Sequence, residues 1–151
     1  MIVIRIQIDT SEAEKLINFS EKRAKDLRPV WRHARKLLTA SFSQNFLTGG
    51  SLVGGWAPLD SGYAAWKATR FPGAPTLVQD GSLFRSVSTL TDPAVNKINR
   101  LSATFGTDAK YAKFHQYGTS KMPQREIIFE PEGFTRDIAQ KALEHITKGA
   151  K

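Results

Sequence analysis

Tyr111-Ala112-Lys113-Phe114-His115-Gln116-Tyr117-Gly118 leads, through Lys121-Met122-Pro123-Gln124-Arg125, into Glu126-Ile127-Ile128-Phe129. Residues 109–117 suit a short helix, and Gly118 is placed to end it. A basic loop follows, Pro123 stiffens it, and 126–130 has the β-branched and aromatic content of a strand. Helix and strand signals therefore sit side by side, and the same mixture recurs on both sides, which sets the class as α+β. His115 next to Gln116 invites a catalytic reading. Nothing nearby completes a catalytic set, so the pair is read as tying the loop to its scaffold.

Towards the C-terminus, Pro131-Glu132-Gly133 turns the chain. Phe134, Ile138, Ala142 and Ile146 then repeat every four residues, with Leu143 widening the stripe, which predicts a helix over 134–148 ended by Gly149. Towards the N-terminus, strands are expected near 86–91 and 97–106, joined by a turn at Asp92, Pro93 and Asn96. Before them, 77–85 reads as a turn and a short helix. A further helix over 61–70 is capped by Asp60 or Ser61 and stopped by Phe71-Pro72-Gly73-Ala74-Pro75.

The first eight residues alternate, with Ile2, Ile4, Ile6 and Ile8 on one face, as in a half-buried strand. Ser11 and Glu14 have capping-box spacing. A long helical segment runs from there to about Phe46, its stripe passing through Ala24, Leu27, Trp31, Ala34, Leu38, Phe42 and Asn45. Pro29 interrupts it and predicts either a kink or two helices, with Pro29 in the first turn of the second. The stripe keeps its phase across Pro29, which favours the kink. The other face carries Lys22, Arg23, Lys25, Arg28, Arg32, Arg35 and Lys36 against only Glu21 and Asp26. It is either a solvated face or a patch for an acidic partner or nucleic acid. Residues 47–62 hold five glycines and read as a mobile loop that docks through Trp56 and Leu59. The lysine and hydroxyl residue of a phosphate-binding loop do not follow these glycines.

With 151 residues the chain is expected to form one domain, enough to bury about 68–70% of its unfolded surface. Cysteine is absent, which excludes disulfides and thiolate chemistry. No apolar run approaches the roughly 20 residues of a membrane span, and the alternating start is not a signal-peptide pattern. A net charge of +8 favours anionic partners. His33, His115 and His145 are each alone in their segments, and no serine stands in a nucleophile elbow. No enzyme, metal or cofactor is expected. Nucleic-acid binding has the charge and the aromatic residues Trp31, Trp56, Trp66 and Tyr117, but no recognised binding motif.

Four blocks in order carry a family resemblance. They are Trp56-Ala57-Pro58-Leu59 with Tyr63 and Lys67; Leu77, Gly81, Leu83 and Ser86-Val87; Tyr111-Ala112 with Phe114-His115-Gln116-Tyr117-Gly118; and Pro123, Arg125 and Ile127-Ile128. Over 56–128 the chain resembles the phage virion morphogenesis family, which includes tail completion proteins of Mu-like and related contractile-tailed phages. It departs in having Phe129 where the family tends to have glycine, and in the glycine-rich stretch before Trp56.

The resemblance implies a non-enzymatic structural protein of phage or prophage origin that completes the tail or joins tail to head. Its partners would be other tail or neck proteins, and a ring of identical subunits would suit a symmetric tail. Its location would be the virion, and the host cytoplasm during assembly. Within this reading the interaction residues are Trp56, Leu59, His115, Gln116, Lys121 and Arg125, with Arg28, Arg32 and Arg35 on the basic helix. Arg125 is open between a bidentate contact to a neighbouring subunit's carboxylate and an internal salt bridge. The architecture expected is a small, mainly antiparallel sheet from the N-terminal strand, the hairpin and the segment after Pro123. It packs on a long N-terminal helix kinked near Pro29 and on a C-terminal helix.

Overall fold

The structure is a computed structural model that describes residues 11–91 and 93–148. Helix α1 spans Ser11–Ala24, α2 Arg28–Leu47, α3 Ser61–Arg70, α4 Ser82–Ser88, α5 Ala112–Tyr117 and α6 Phe134–Thr147. Strands β1, Ala94–Ile98, and β2, Ala103–Thr107, form a two-stranded antiparallel sheet, so the class is α+β. The strand expected over the first eight residues, the side chains of Ser11 and Glu14, and Gly149 lie outside the described residues.

The long N-terminal helical segment breaks rather than kinks. Pro29 stands in the first turn of α2, where a missing N–H costs nothing. Tertiary bonds hold the break open. Leu27 N donates to Arg100 O in the turn between the strands at 2.7 Å. His145 of α6 bonds Asp26 O at 2.8 Å, and Arg23 donates to Lys148 O at 2.8 Å. The Arg28 guanidinium bonds the Asp26 carboxylate and lowers its pKa to about 2. Two of the cations on the basic face, Arg28 and Lys25, thus already hold Asp26 and Glu21.

The core lies where α2 meets α4, α5 and the segment after Pro123. Phe42, Phe46, Leu83, Val87, Ala112 and Ile127 are buried together. Phe46 meets Trp56 edge-on at 5.2 Å and Phe84 at 5.5 Å, and Phe42 meets Phe129 at 5.6 Å. Such aromatic pairs add about 0.5–1.5 kcal/mol each beyond the area they bury. Helix α6 packs on α1 and α2.

Two strand expectations are corrected. The 86–91 strand is the end of α4 and its turn. Leu83, Ser86 and Val87 are the buried set, a spacing of three and four that overrides the alternation. The hairpin lies later, with Ala94 paired to Thr107 and Ile98 to Ala103, so its turn is 99–102 and not Asp92-Pro93.

Residues 126–130 are not a strand either, although their backbone is bonded like one. Side chains take the place of a neighbouring strand. Gln116 Oε1 accepts from Ile127 N at 3.0 Å and Ile128 N at 2.9 Å, while its Nε2 donates to Ile128 O at 2.8 Å. Glu126 O receives both Trp56 Nε1, at 2.8 Å, and Asn45 Nδ2, at 3.2 Å.

Candidate functional site

Asn45 and Trp56 also shape the glycine-rich stretch. Gly50 N bonds Asn45 O, Leu52 N bonds Asn45 Oδ1, and Trp56 N returns to Gly49 O. A short 3-10 turn at Ser51–Val53 forms the tip. Gly50 has φ of +88°, and a Cβ there would collide with the Trp56 ring, so glycine is required. Trp56 is therefore half-buried in the core, and the stretch is tied to the scaffold at both ends. It delivers Ala57 and Pro58 to Arg125, which donates to Ala57 O from Nε at 2.9 Å and to Pro58 O from Nη2 at 2.8 Å. Arg125 is 5% exposed and forms no salt bridge among the described residues. Among the described residues a clamp on loop carbonyls therefore stands in place of the expected internal salt bridge of Arg125.

Beside this clamp lies a cavity of about 690 Å³. Tyr63 and Lys67 of α3 form one wall. They stand four residues apart, so one helix face carries both. Asp60 caps α3, accepting from Gly62 N and Tyr63 N. Leu77, Val78 and Leu83 form the second wall, Tyr111 and His115 the third, and Lys121, Met122 and Pro123 the mouth. Leu77 has φ of +63°, a conformation that costs a non-glycine residue energy and is held here by packing. Lys121 is exposed in a tight turn closed by Thr119 N to Met122 O at 2.8 Å.

Lys67 is buried, and its ammonium bonds Pro75 O. Burial pushes its pKa below the ordinary lysine value. Burial lowers the His115 pKa too, and the Arg125 charge adds to the effect. His115 Nδ1 is buried and has no partner among the described residues. The hydroxyl of Ser82 joins Tyr111 Oη and Asp80 Oδ1, each at 2.9 Å, so a hydroxyl network reaches the cavity but does not include His115.

In comparisons with known proteins, no family model, curated protein or solved structure matches this chain.

Of the residues singled out in the sequence, Leu59, His115, Lys121 and Arg125 line the one cavity. Trp56 and Gln116 do not line it; they bond Glu126 O and Ile127 N, in the segment that directly follows the lining residue Arg125. Gln116 is thus the tie between loop and scaffold. Arg28, Arg32 and Arg35 do not reach the cavity. Arg28 is paired with Asp26, Arg32 is exposed, and Arg35 lines a shallow polar hollow with Lys36, Thr39 and Asn96. Tyr63, Lys67 and Tyr111 stood in the sequence blocks but not among the interaction residues expected, and Asp80 in neither, yet all four line the cavity. The usable signal was Lys67 four residues after Tyr63, a cation on the aromatic face of a short helix. Among the described residues no group of three or more His, Cys, Asp or Glu is placed to hold a metal. No described helix is long and apolar enough to cross a membrane.

Proposed function

We propose that this protein is a non-enzymatic structural component of phage virion assembly that completes the tail or joins it to the head. The observation that carries this reading is the meeting of all four sequence blocks at one place. Ala57 and Pro58 come from the first, Leu77 and Leu83 from the second, Tyr111 and His115 from the third, and Arg125 from the fourth. Residues so far apart in sequence that build one clamp and one cavity support a shared, site-based reason for the resemblance.

The surface supports a docking role. Trp66 is 48% exposed, Phe114 45% and Tyr117 78%, and Tyr63 and Tyr111 are exposed at the cavity itself. Exposed aromatic residues near a cavity are characteristic of protein interfaces. In the proposed role the partners are tail or neck proteins. Further copies of the chain would close a ring by heterologous contacts, in which different patches of neighbouring subunits meet. The protein would reside in the virion, and in the host cytoplasm during assembly.

Deletion of the gene from its parent phage, followed by electron microscopy, tests the proposal. Full heads beside unjoined tails, or tails of abnormal length, are expected. Normal infectious particles would overturn it. The nucleic-acid reading has one observation in its favour, the Arg35 and Lys36 hollow. A salt titration on short duplex DNA separates the two readings, since phosphate contacts give a steep salt dependence. The assembly reading expects weak binding at physiological salt.

A further inference from the structure

Two cations in the cavity lack an anion. Lys67 and Arg125 are each 5% exposed, and no carboxylate among the described residues pairs with either. A lysine offers three N–H donors and an arginine five. Lys67 uses one on Pro75 O, and Arg125 uses two on Ala57 O and Pro58 O. The remaining donors have no acceptor among the described residues. Carbonyls satisfy hydrogen bonds but leave the net charge in place, and a buried charge is costly until it is paired.

Two acids border the cavity and keep their charge, but neither pairs with Lys67 or Arg125 among the described residues, and both already accept from neutral donors. Asp60 accepts from the first N–H groups of α3, and Asp80 from Ser82 N and Ser82 Oγ at the start of α4. Lys121 adds a third cation at the mouth, and Nδ1 of His115, which has no partner among the described residues, adds a polar atom.

The walls select among anions. Leu59, Leu77, Val78, Met122 and Pro123 give the space an apolar lining. Single-stranded nucleic acid is held in strongly basic grooves that track its backbone, whereas here Lys67, Lys121 and Arg125 stand beside the carboxylates of Asp60 and Asp80. A lone inorganic anion would leave most of the 690 Å³ unfilled. A peptide that mixes acidic and apolar side chains matches both charge and lining.

We infer that the cavity seats an acidic peptide segment of a partner protein, with a carboxylate against Lys67 and Arg125 and apolar neighbours against Leu59 and Val78. This names the partner chemistry for the assembly reading and rests on it, yet the two fail separately. Particle morphology tests the role, and peptide binding to the isolated chain tests the cavity.

The experiment is selection of a displayed random octapeptide library on the immobilised full chain. The strongest peptides are then resynthesised and measured by fluorescence anisotropy. Peptides with Asp or Glu among apolar residues are expected. Replacing the acids by their amides should weaken binding by about tenfold or more, as loss of a charge-assisted contact does. Lys121→Glu changes an exposed residue and keeps the fold, and it should weaken the same peptides to a similar degree. Lys67→Met tests the buried charge, with circular dichroism to confirm folding. Selected peptides without acidic residues, amides that bind equally, or an unaffected Lys121→Glu variant would each overturn the inference. So would full displacement of the peptides by millimolar inorganic phosphate or by a short oligonucleotide, which would assign the cavity to phosphate.

Discussion

Gln116→Leu tests the side-chain scaffolding of residues 126–129 directly. Leucine has a similar size but cannot bond. The change removes three hydrogen bonds, from Ile127 N, from Ile128 N and to Ile128 O. Ile127 is 1% exposed, so water does not readily replace them there. An unsatisfied buried polar group costs about 1–3 kcal/mol. Two amides and a carbonyl, with partial relief where Ile128 meets solvent, sum to roughly 3–5 kcal/mol, a large share of a typical domain's stability. Urea unfolding followed by tryptophan fluorescence reads this loss as a lower midpoint with an unchanged slope. Gln116→Glu sharpens the test. At neutral pH a carboxylate still accepts from both amides but repels Ile128 O, so the loss is intermediate. Protonation at low pH restores a donor to that carbonyl, and the deficit relative to wild type should shrink. A loss below about 1 kcal/mol for Gln116→Leu would refute the reasoning, because it would mean the amides find other partners.

Three further outcomes are expected. Trp56→Ala should cost about 3–5 kcal/mol in the same unfolding assay, since the ring packs on Phe46 and its N–H is bonded; a cost near zero would return the loop to a detached state. Gly118→Ala should destabilise by more than about 1 kcal/mol, because φ is +70° and a Cβ would lie 2.9 Å from Gln124 N; thermal melts without a shift would contradict it. His115 has a folded pKa below its ordinary 6.5, so its stabilising share is complete above that value and is lost as pH falls from 6.5 through the folded pKa. His115→Gln should flatten that part of the stability–pH profile, and an unchanged slope would show that other groups set it.

Sequence and structure agree where a single periodicity governs. The stripe through Ala34, Phe42 and Asn45 is the buried face of α2, and the α6 helix starts at Phe134 as its spacing requires. They part where two periods compete, as at Ser86 and Val87, which fit an alternating strand but are buried as a helix. They part again where tertiary bonds decide, as at Leu27, whose amide is taken by Arg100 O. The site was legible as a set of residue types and not as a shape. His115, Gln116 and Arg125 stood out, but Arg125 finds its carbonyls 67 and 68 residues away. An arginine two residues after a proline says nothing of such partners. The spacing of Lys67 from Tyr63 put both on one helix face, but the burial of its ammonium depends on Pro75 O and the cavity walls, which that spacing does not specify.

A strand paired with another strand can slide by two residues and find nearly the same backbone bonds again. The segment after Arg125 has no such freedom. Its carbonyl at Glu126 is met by one amide and one indole, reaching across 81 and 70 residues of chain, and its next two amides by one glutamine. Each of those side chains has a single address. Slippage would therefore lose all of these bonds at once, and the segment's register depends on the C-terminal end of α2, Trp56 and α5 together. The cavity wall at Arg125 is thus anchored in one register by three distant parts of the chain at once.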